Sequence, residues 1–491
     1  MDQSLKARTV ANLGYNTICR LIVFILSSAT GIILARHLSS SDYGVVGFAM
    51  IFIGFLQQFN DLGITSSIVQ KETIQDDELY TAFTLKLILG FLIFSASYAW
   101  ACLSEKAFDN PAVKWVVVIL AAGLFINGLG FLPTTLLTRQ LKFKLLTIPQ
   151  IGSRLVATAV SIAAVYLGFR YWSIVLSNVA ANIATVAIVW MLCPLPWKFR
   201  WDSRAAKEHL KFGSHLFFAG LMIFVLFNAD NFVIGTVNGA AMLGFYTIAF
   251  NWSTKATDFI AQAIHNILTS TFSRVQQDTE RLKRGYLAIL EYVSFAAVLA
   301  NTLLMILSRE LLVLVLGGGT GKWLPALLAL EILCVYGVIR AVLEPVGSVI
   351  VAVGRPSLVF KSNAIVAALQ AACLYPALRY FGIAGVAALV TICYGIQFPV
   401  YFPALHRKMD LRFSEVFRSV RAALISGCAL AAFGFTLDRF MNITWFSMAV
   451  KSFCGCLLYL VTYGCLTKWK IIKDAKEISS SVLLKASQSA A

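Results

Sequence analysis

Apolar stretches long enough to cross a bilayer recur from one end of the chain to the other, separated by short polar links. About fourteen are predicted, near 11–36, 43–69, 78–103, 113–138, 144–168, 171–193, 209–237, 241–274, 285–308, 325–353, 357–381, 384–405, 415–437 and 444–467. Segments of this length and continuity read as helices, so the expected fold class is an all-α polytopic membrane protein. The longest polar link, 194–208, falls between segments six and seven, and no stretch could fold as a sizeable soluble domain. The expected organisation is a six-helix lobe over 1–193, a linker over 194–208 and a second six-helix lobe over 209–405. Two extra helices follow over 406–467, then a tail over 468–491.

Segment eight breaks the apolar rule in a regular way. Asn251, Lys255, Asp258, Gln262, His265 and Thr269 recur at steps of four and three, which stacks them on one face of a helix. At about 1.5 Å per residue the helix from Ala241 to Arg274 would run roughly 50 Å, against about 30 Å of hydrocarbon. A polar and ionisable stripe inside a membrane is costly unless it meets water or a partner. Two readings follow: a Lys255–Asp258 pair that glues helices together, or one wall of an aqueous cavity for a polar passenger.

Charge and composition sharpen this picture. Of 491 residues, 59% are hydrophobic and 13% charged, half the charged share usual in soluble domains, which is about 25%. The net charge of +17 suggests nucleic acid until its distribution is considered. Lys and Arg crowd the links on the side of the termini, above all Lys198, Arg200, Arg204, Lys207 and Lys211, then Arg407, Lys408, Arg412, Arg418 and Arg421. The opposite side holds few. This positive-inside bias places both termini in the cytoplasm and accounts for the charge without a nucleic-acid partner. The ten cysteines are scattered, mostly within apolar runs, and none has zinc-type spacing with histidines, so no metal or cofactor is expected. The first segment, with Asn12, Asn16 and Arg20, is a poor signal-peptide core and reads as a retained helix. The run from Leu316 to Trp323, LGGGTGKW, only imitates a phosphate loop: Gly is missing at Leu316 and Ser or Thr at Trp323.

A weak repeat is visible at an offset of 200. The stretch from Leu38 to Met50 aligns with that from Val237 to Phe250, matching Gly44 with Gly244 and Ala49 with Ala249. Segments six and twelve, after Gly168 and Gly382, also resemble one another. Six spans is an even number, so the two lobes are parallel repeats, with segments thirteen and fourteen outside them.

Several motifs together give the chain a family likeness. They are LSSSDYG (Leu38–Gly44), FNDLGITSSIVQ (Phe59–Gln70), FSRVQQDTERLKR (Phe272–Arg284), GKWLPALLALEIL (Gly321–Leu333) and PVGSVIVAVGRP (Pro345–Pro356). Over nearly its whole length the chain resembles the polysaccharide exporters, lipid-linked oligosaccharide flippases such as colanic and teichuronic acid exporters. These belong to the multidrug/oligosaccharidyl-lipid/polysaccharide superfamily. The resemblance implies a fourteen-helix, two-lobed, non-enzymatic flippase of the bacterial inner membrane. Its passenger would be an undecaprenyl-diphosphate-linked oligosaccharide, moved by alternating access for surface polysaccharide synthesis. Membrane lipids, an H+ or Na+ coupling ion and polysaccharide polymerase or export machinery are the partners implied. A multidrug/cation antiporter of the same fold is the alternative, and a membrane polysaccharide polymerase a more distant one.

A diphosphate passenger wants fixed cations, Arg offering a forked donor and Lys a compact charge. Arg20 continues the stripe Asn12–Asn16–Arg20, and Lys86, Arg154, Lys255 and Arg340 are the other intramembrane cations. The substrate-binding candidates are therefore Arg20, Asn16, Lys255, Asn251, Gln262, His265, Arg154 and Arg340. Lys86 and Arg154 lie close enough to segment ends to snorkel, and Arg340 is four residues from Glu344, which offers a pair within one helix. Candidates for ion coupling are Asp61, Asp230, Asp258 and Glu344, since carboxylates in a membrane carry protons or cations. The competing role for Asp61 and Asp230 is bracing helix ends.

Overall fold

The computed structural model describes residues 3–71, 74–103, 112–140, 142–275, 278–352 and 355–469, without the side chains of 3–17, 143, 215–216, 219, 261–275, 352 and 356. By their internal contacts these residues form two compact units, Met1–Ile248 and Ala249–Ala491. Among the described residues the regular structure is helical throughout.

The first unit contains α1 (Gln3–His37), α2 (Ser40–Asp61), α3 (Ile64–Gln70), α4 (Asp76–Leu103), α5 (Ala112–Leu129) and α6 (Phe131–Arg139). It continues with α7 (Phe143–Tyr166), α8 (Trp172–Leu192), α9 (Ser203–Val237) and the first turns of α10 (Gly239–Val275). Helix α7 packs against α8 and α1, α4 against α5, and α9 against α2. Local chemistry fixes the helix starts. Ser39 and Asp42 form a reciprocal capping box at α2, the Asp42 amide donating to Ser39 Oγ (3.2 Å) and the Ser39 amide to Asp42 Oδ2 (3.0 Å). Asp202 caps α9 by accepting the Arg204 amide at 2.8 Å. A core of Ile64, Ile68, Leu79, Phe83, Phe131 and Leu132 joins the short helices to α4.

The second unit continues α10 and adds α11 (Thr279–Ile306), α12 (Ser308–Glu310), α13 (Leu327–Ala352), α14 (Pro356–Gly395), α15 (Gln397–Met409), α16 (Phe413–Leu437) and α17 (Trp445–Thr467). Its larger core centres on Leu282, Tyr286, Val346, Val349, Tyr401 and Leu405. A second cluster, with Val298, Leu430, Tyr459 and Tyr463, seats α16 and α17 on α11.

Twelve helical stretches among the described residues are long and apolar enough to cross a membrane. The difference from fourteen has identifiable sources. One stretch, Ser357–Met409, covers the expected segments eleven and twelve. Its break is Gly382, whose φ of 61° lies in the left-handed region that glycine alone enters without strain. The other source is α10, helical from Gly239 to Val275, whose described side chains end at Ile260. Two expected segments are each divided: 43–69 where Leu62 and Gly63 turn left-handed, and 113–138 at Gly130. Large apolar side chains stay exposed on the spans, among them Phe91, Leu92, Ile183, Met191 and Phe453, as lipid-facing surface requires.

The glycines matched by the repeat meet one another's helices. A Cβ on Gly44 would overlap the backbone carbonyl of Ala240, and one on Gly244 would overlap that of Ser40. Ser40 and Ala240 are themselves related by the offset of 200, so the first turns of α2 and α10 cross reciprocally. Glycine at both positions permits this backbone approach.

Candidate functional site

Polar side chains inside the spans gather in separate groups within each unit. In the first, Lys86 of α4 is buried and reaches Asp61 Oδ1 at the end of α2, at 3.0 Å. Thr65 Oγ1 donates to the same oxygen at 2.7 Å, and the Lys86 ammonium lies 5.7 Å from the Phe131 ring centre. Asp61 thus joins α2, α3 and α4. Asp230 of α9 is buried, accepting from Tyr246 Oη at 2.6 Å and from the Asn231 amide at 2.8 Å. That pair ties α9 to the start of α10. Arg20 is half-buried on α1 and Arg154 exposed on α7. Asn16 lies outside the described side chains.

In the second unit the stripe on α10 is only partly described, since Gln262, His265 and Thr269 lie outside the described side chains. Asn251 is exposed and Lys255 half-buried, with its ammonium 4.0 Å from the centre of the Trp252 ring. Asp258 Oδ1 accepts from Arg340 of α13 at 2.8 Å, the arginine mostly buried and the carboxylate half-exposed. Glu344 is half-buried one turn further along α13. Beneath the pair, Thr257 donates to the Gly337 carbonyl at 3.1 Å and accepts from Asn301 Nδ2 at 3.2 Å, which locks α10, α11 and α13 together. The structure therefore brings together Asp258 and Arg340 across two helices, with Lys255 one turn before Asp258.

What this arrangement offers chemically is a guanidinium on a three-helix support, engaged by a carboxylate that protein only partly covers. An anionic group with better geometry than one carboxylate could take that guanidinium over.

One buried charged group was passed over in the sequence. Lys451 of α17 contacts Glu310 of α12 at 2.5 Å and also pairs with Asp438 after α16. The signal was present: Lys451 interrupts the apolar run WFSMAVKSFCGC. Its partners lie at helix ends, where acids look solvated.

Comparisons with known proteins give a consistent picture. Residues 33–327 match the family described as Polysaccharide biosynthesis protein. The chain is 25% identical over 454 residues to the teichuronic acid biosynthesis protein TuaB of Bacillus subtilis (strain 168), covering 91% of this chain and 92% of that one. It is 23% identical over 369 residues to the lipopolysaccharide biosynthesis protein WzxC of Escherichia coli (strain K12), covering 73% of each. Among solved structures, the lipid II flippase MurJ in an inward closed conformation superposes with a TM-score of 0.73 at 13% identity, over 92% of this chain and 98% of that one. The last likeness is one of fold.

Proposed function

This chain belongs to the polysaccharide biosynthesis protein family, and from that premise we propose that it is a flippase of undecaprenyl-diphosphate-linked oligosaccharide repeat units. It would act without catalysis, in the bacterial inner membrane with both termini in the cytoplasm, supplying surface polysaccharide synthesis. The observation that carries this reading is end-to-end likeness of two kinds: to a teichuronic acid biosynthesis protein in sequence and to a lipid II flippase in fold. The sugar head of such a substrate avoids hydrocarbon only inside a protein cavity, and its diphosphate needs fixed positive charge there.

Arg20 and Lys255 are the cations assigned to the diphosphate, with Arg340 joining them by exchange of partners. A diphosphate oxygen pair replaces Asp258 on the Arg340 fork. Asp258 is then left without its cation and takes an H+ or Na+ in its place. Such an exchange ties passenger and coupling ion to the same residue pair, as alternating access requires of a coupled transporter. Asp230 and Asp61, each already hydrogen-bonded to a neighbouring helix, then serve as braces or secondary ion sites.

The test is a strain lacking the gene, in which the leaflet of the lipid-linked repeat units and the amount of surface polysaccharide are measured. Repeat units held on the cytoplasmic side, released by the wild-type gene but not by Arg20→Glu or Lys255→Glu, support the proposal. Normal polysaccharide with altered drug sensitivity would replace it by a cation antiporter. Repeat units that cross but stay unpolymerised would replace it by a polymerase.

A further inference from the structure

Helix α9 begins at Ser203, and its first turns carry Arg204, Lys207, Glu208 and Lys211, a density of charge that sets them apart from the apolar stretch Gly220–Val237 further along the helix. This leading half is docked onto α3 and α4 by a face of small residues. Ala205 and Ala206 are buried there, and the Leu62 carbonyl occupies the space a Gly213 Cβ would take. In the middle of that face is His209, fully buried.

Its two nitrogens are treated differently. Nδ1 lies 2.5 Å from Ser67 Oγ of α3. Nε2 is buried with no hydrogen-bond partner, and the nearest carboxylate oxygen, Glu78 Oε1 of α4, is 3.9 Å away. That distance is too long for a hydrogen bond and short enough for a strong field. Glu78 is itself held by Lys71, which also bonds Glu208 of α9 at 3.2 Å. The charges facing His209 are therefore Glu78, Lys71 and Glu208, one negative charge in excess. Beyond them Arg204 lies 3.7 Å from Glu208, Arg200 pairs with Asp77, and Arg139 of α6 donates to the Ile68 carbonyl of α3.

We propose that His209 is a proton-binding site on this face: the ring takes a second proton when α9 lifts from α3 and α4, and expels it when α9 docks again. In the docked state one ring nitrogen carries a hydrogen and the other is the acceptor, and water on the same face supplies and receives the second proton. Burial makes the docked ring a weaker base than its ordinary value of 6.5, and this outweighs the opposing pull of Glu78. The undocked state thus holds more protons than the docked one. Docking is strongest above about pH 6.5, where both forms are neutral, and weakens as pH falls below it toward the docked value. Asn238 and the left-handed Gly239 join α9 to α10, the helix that carries Lys255 and Asp258, so a proton bound here is linked through the chain to that stripe. This linking role rests on the transport reading, whereas proton binding at His209 does not.

The test is amide hydrogen exchange of the full-length protein in lipid nanodiscs between about pH 5 and 8, without substrate and corrected for intrinsic exchange. Opening of residues 203–214 in the wild type should rise as pH falls below about 6.5, by at most tenfold per pH unit for one linked proton. His209→Gln, which retains a hydrogen-bonding group toward Ser67 but does not titrate, should abolish that slope. A wild type without the slope, or a His209→Gln protein that keeps it, overturns the proposal. Should His209→Gln fail to fold, Glu78→Gln retains the imidazole and removes its attraction, so the sensitive range should extend to lower pH. An unmoved range there also overturns it. No transported molecule enters the measurement, so loss of the flippase reading would leave the result standing.

Discussion

Lys451 and Glu310 are each 1% exposed, and this charged pair is held between α17 and α12 with Asp438 closing one side. Removing one member of a buried pair strands the other, at about 3–5 kcal/mol, whereas replacing both by apolar groups is often nearly neutral. Lys451→Met should therefore lower the Tm sharply in detergent, and Lys451→Met with Glu310→Met should recover most of the loss. Asp230 poses a related question with an uncharged donor. Tyr246→Phe removes a donor from a buried carboxylate and should cost about 1.5–3 kcal/mol, read as a lower Tm. For Arg340 and Asp258 the informative quantity is their coupling. Arg340→Gln and Asp258→Asn should be non-additive in a double-mutant cycle on stability, by about 0.5–3 kcal/mol. Sequence alone identified both residues but not the partnership. Spacing along one helix is visible in a sequence, so Lys255–Asp258 and Arg340–Glu344 suggested themselves. Contact between α10 and α13 depends on how helices cross, which no local spacing encodes. The structure gives Lys255 to the Trp252 ring and Arg340 to Asp258.

At the level of elements, hydropathy located nearly every helix, because a segment exposed to lipid has to satisfy its own backbone. What it missed were short breaks inside a segment that is apolar on average. Leu62 and Gly63 turn the chain between α2 and α3 directly after Asn60 and Asp61, and a hydropathy window averages across such a turn. The break at Gly382 in α14 was legible, by contrast, because the expected segments divide there. The packing of α2 on α10 yields the sharpest test at this scale. Gly44→Ala and Gly244→Ala should each destabilise by about 1–3 kcal/mol, since the added methyl forces two backbones apart. Gly347→Ala in α13, where nothing lies within 4 Å, is the control and should be neutral or stabilising. Thermal denaturation followed by size-exclusion chromatography reads all three.

For the whole molecule, the bias of Lys and Arg predicts sidedness. In a background without the exposed cysteines Cys102, Cys373, Cys428 and Cys465, Phe440→Cys in the link between α16 and α17 should react with an impermeant maleimide on intact spheroplasts. Ser203→Cys at the start of α9 should react only after permeabilisation, and the reverse pattern would invert the topology. The repeat at an offset of 200 was faint as sequence, a few matched residues in a background of similar apolar runs. Two of its matched positions meet in space, where Gly44 leans on Ala240 while Gly244 leans on Ser40. This reciprocity has a genetic consequence. The two glycines guard one and the same gap, so once a methyl at either has pried α2 from α10, a methyl at the other meets an opening already made. Their joint replacement should then cost clearly less than the sum of the single costs, a masking epistasis between codons two hundred positions apart. A mutational scan taken one residue at a time would count two essential glycines where the molecule has a single essential contact.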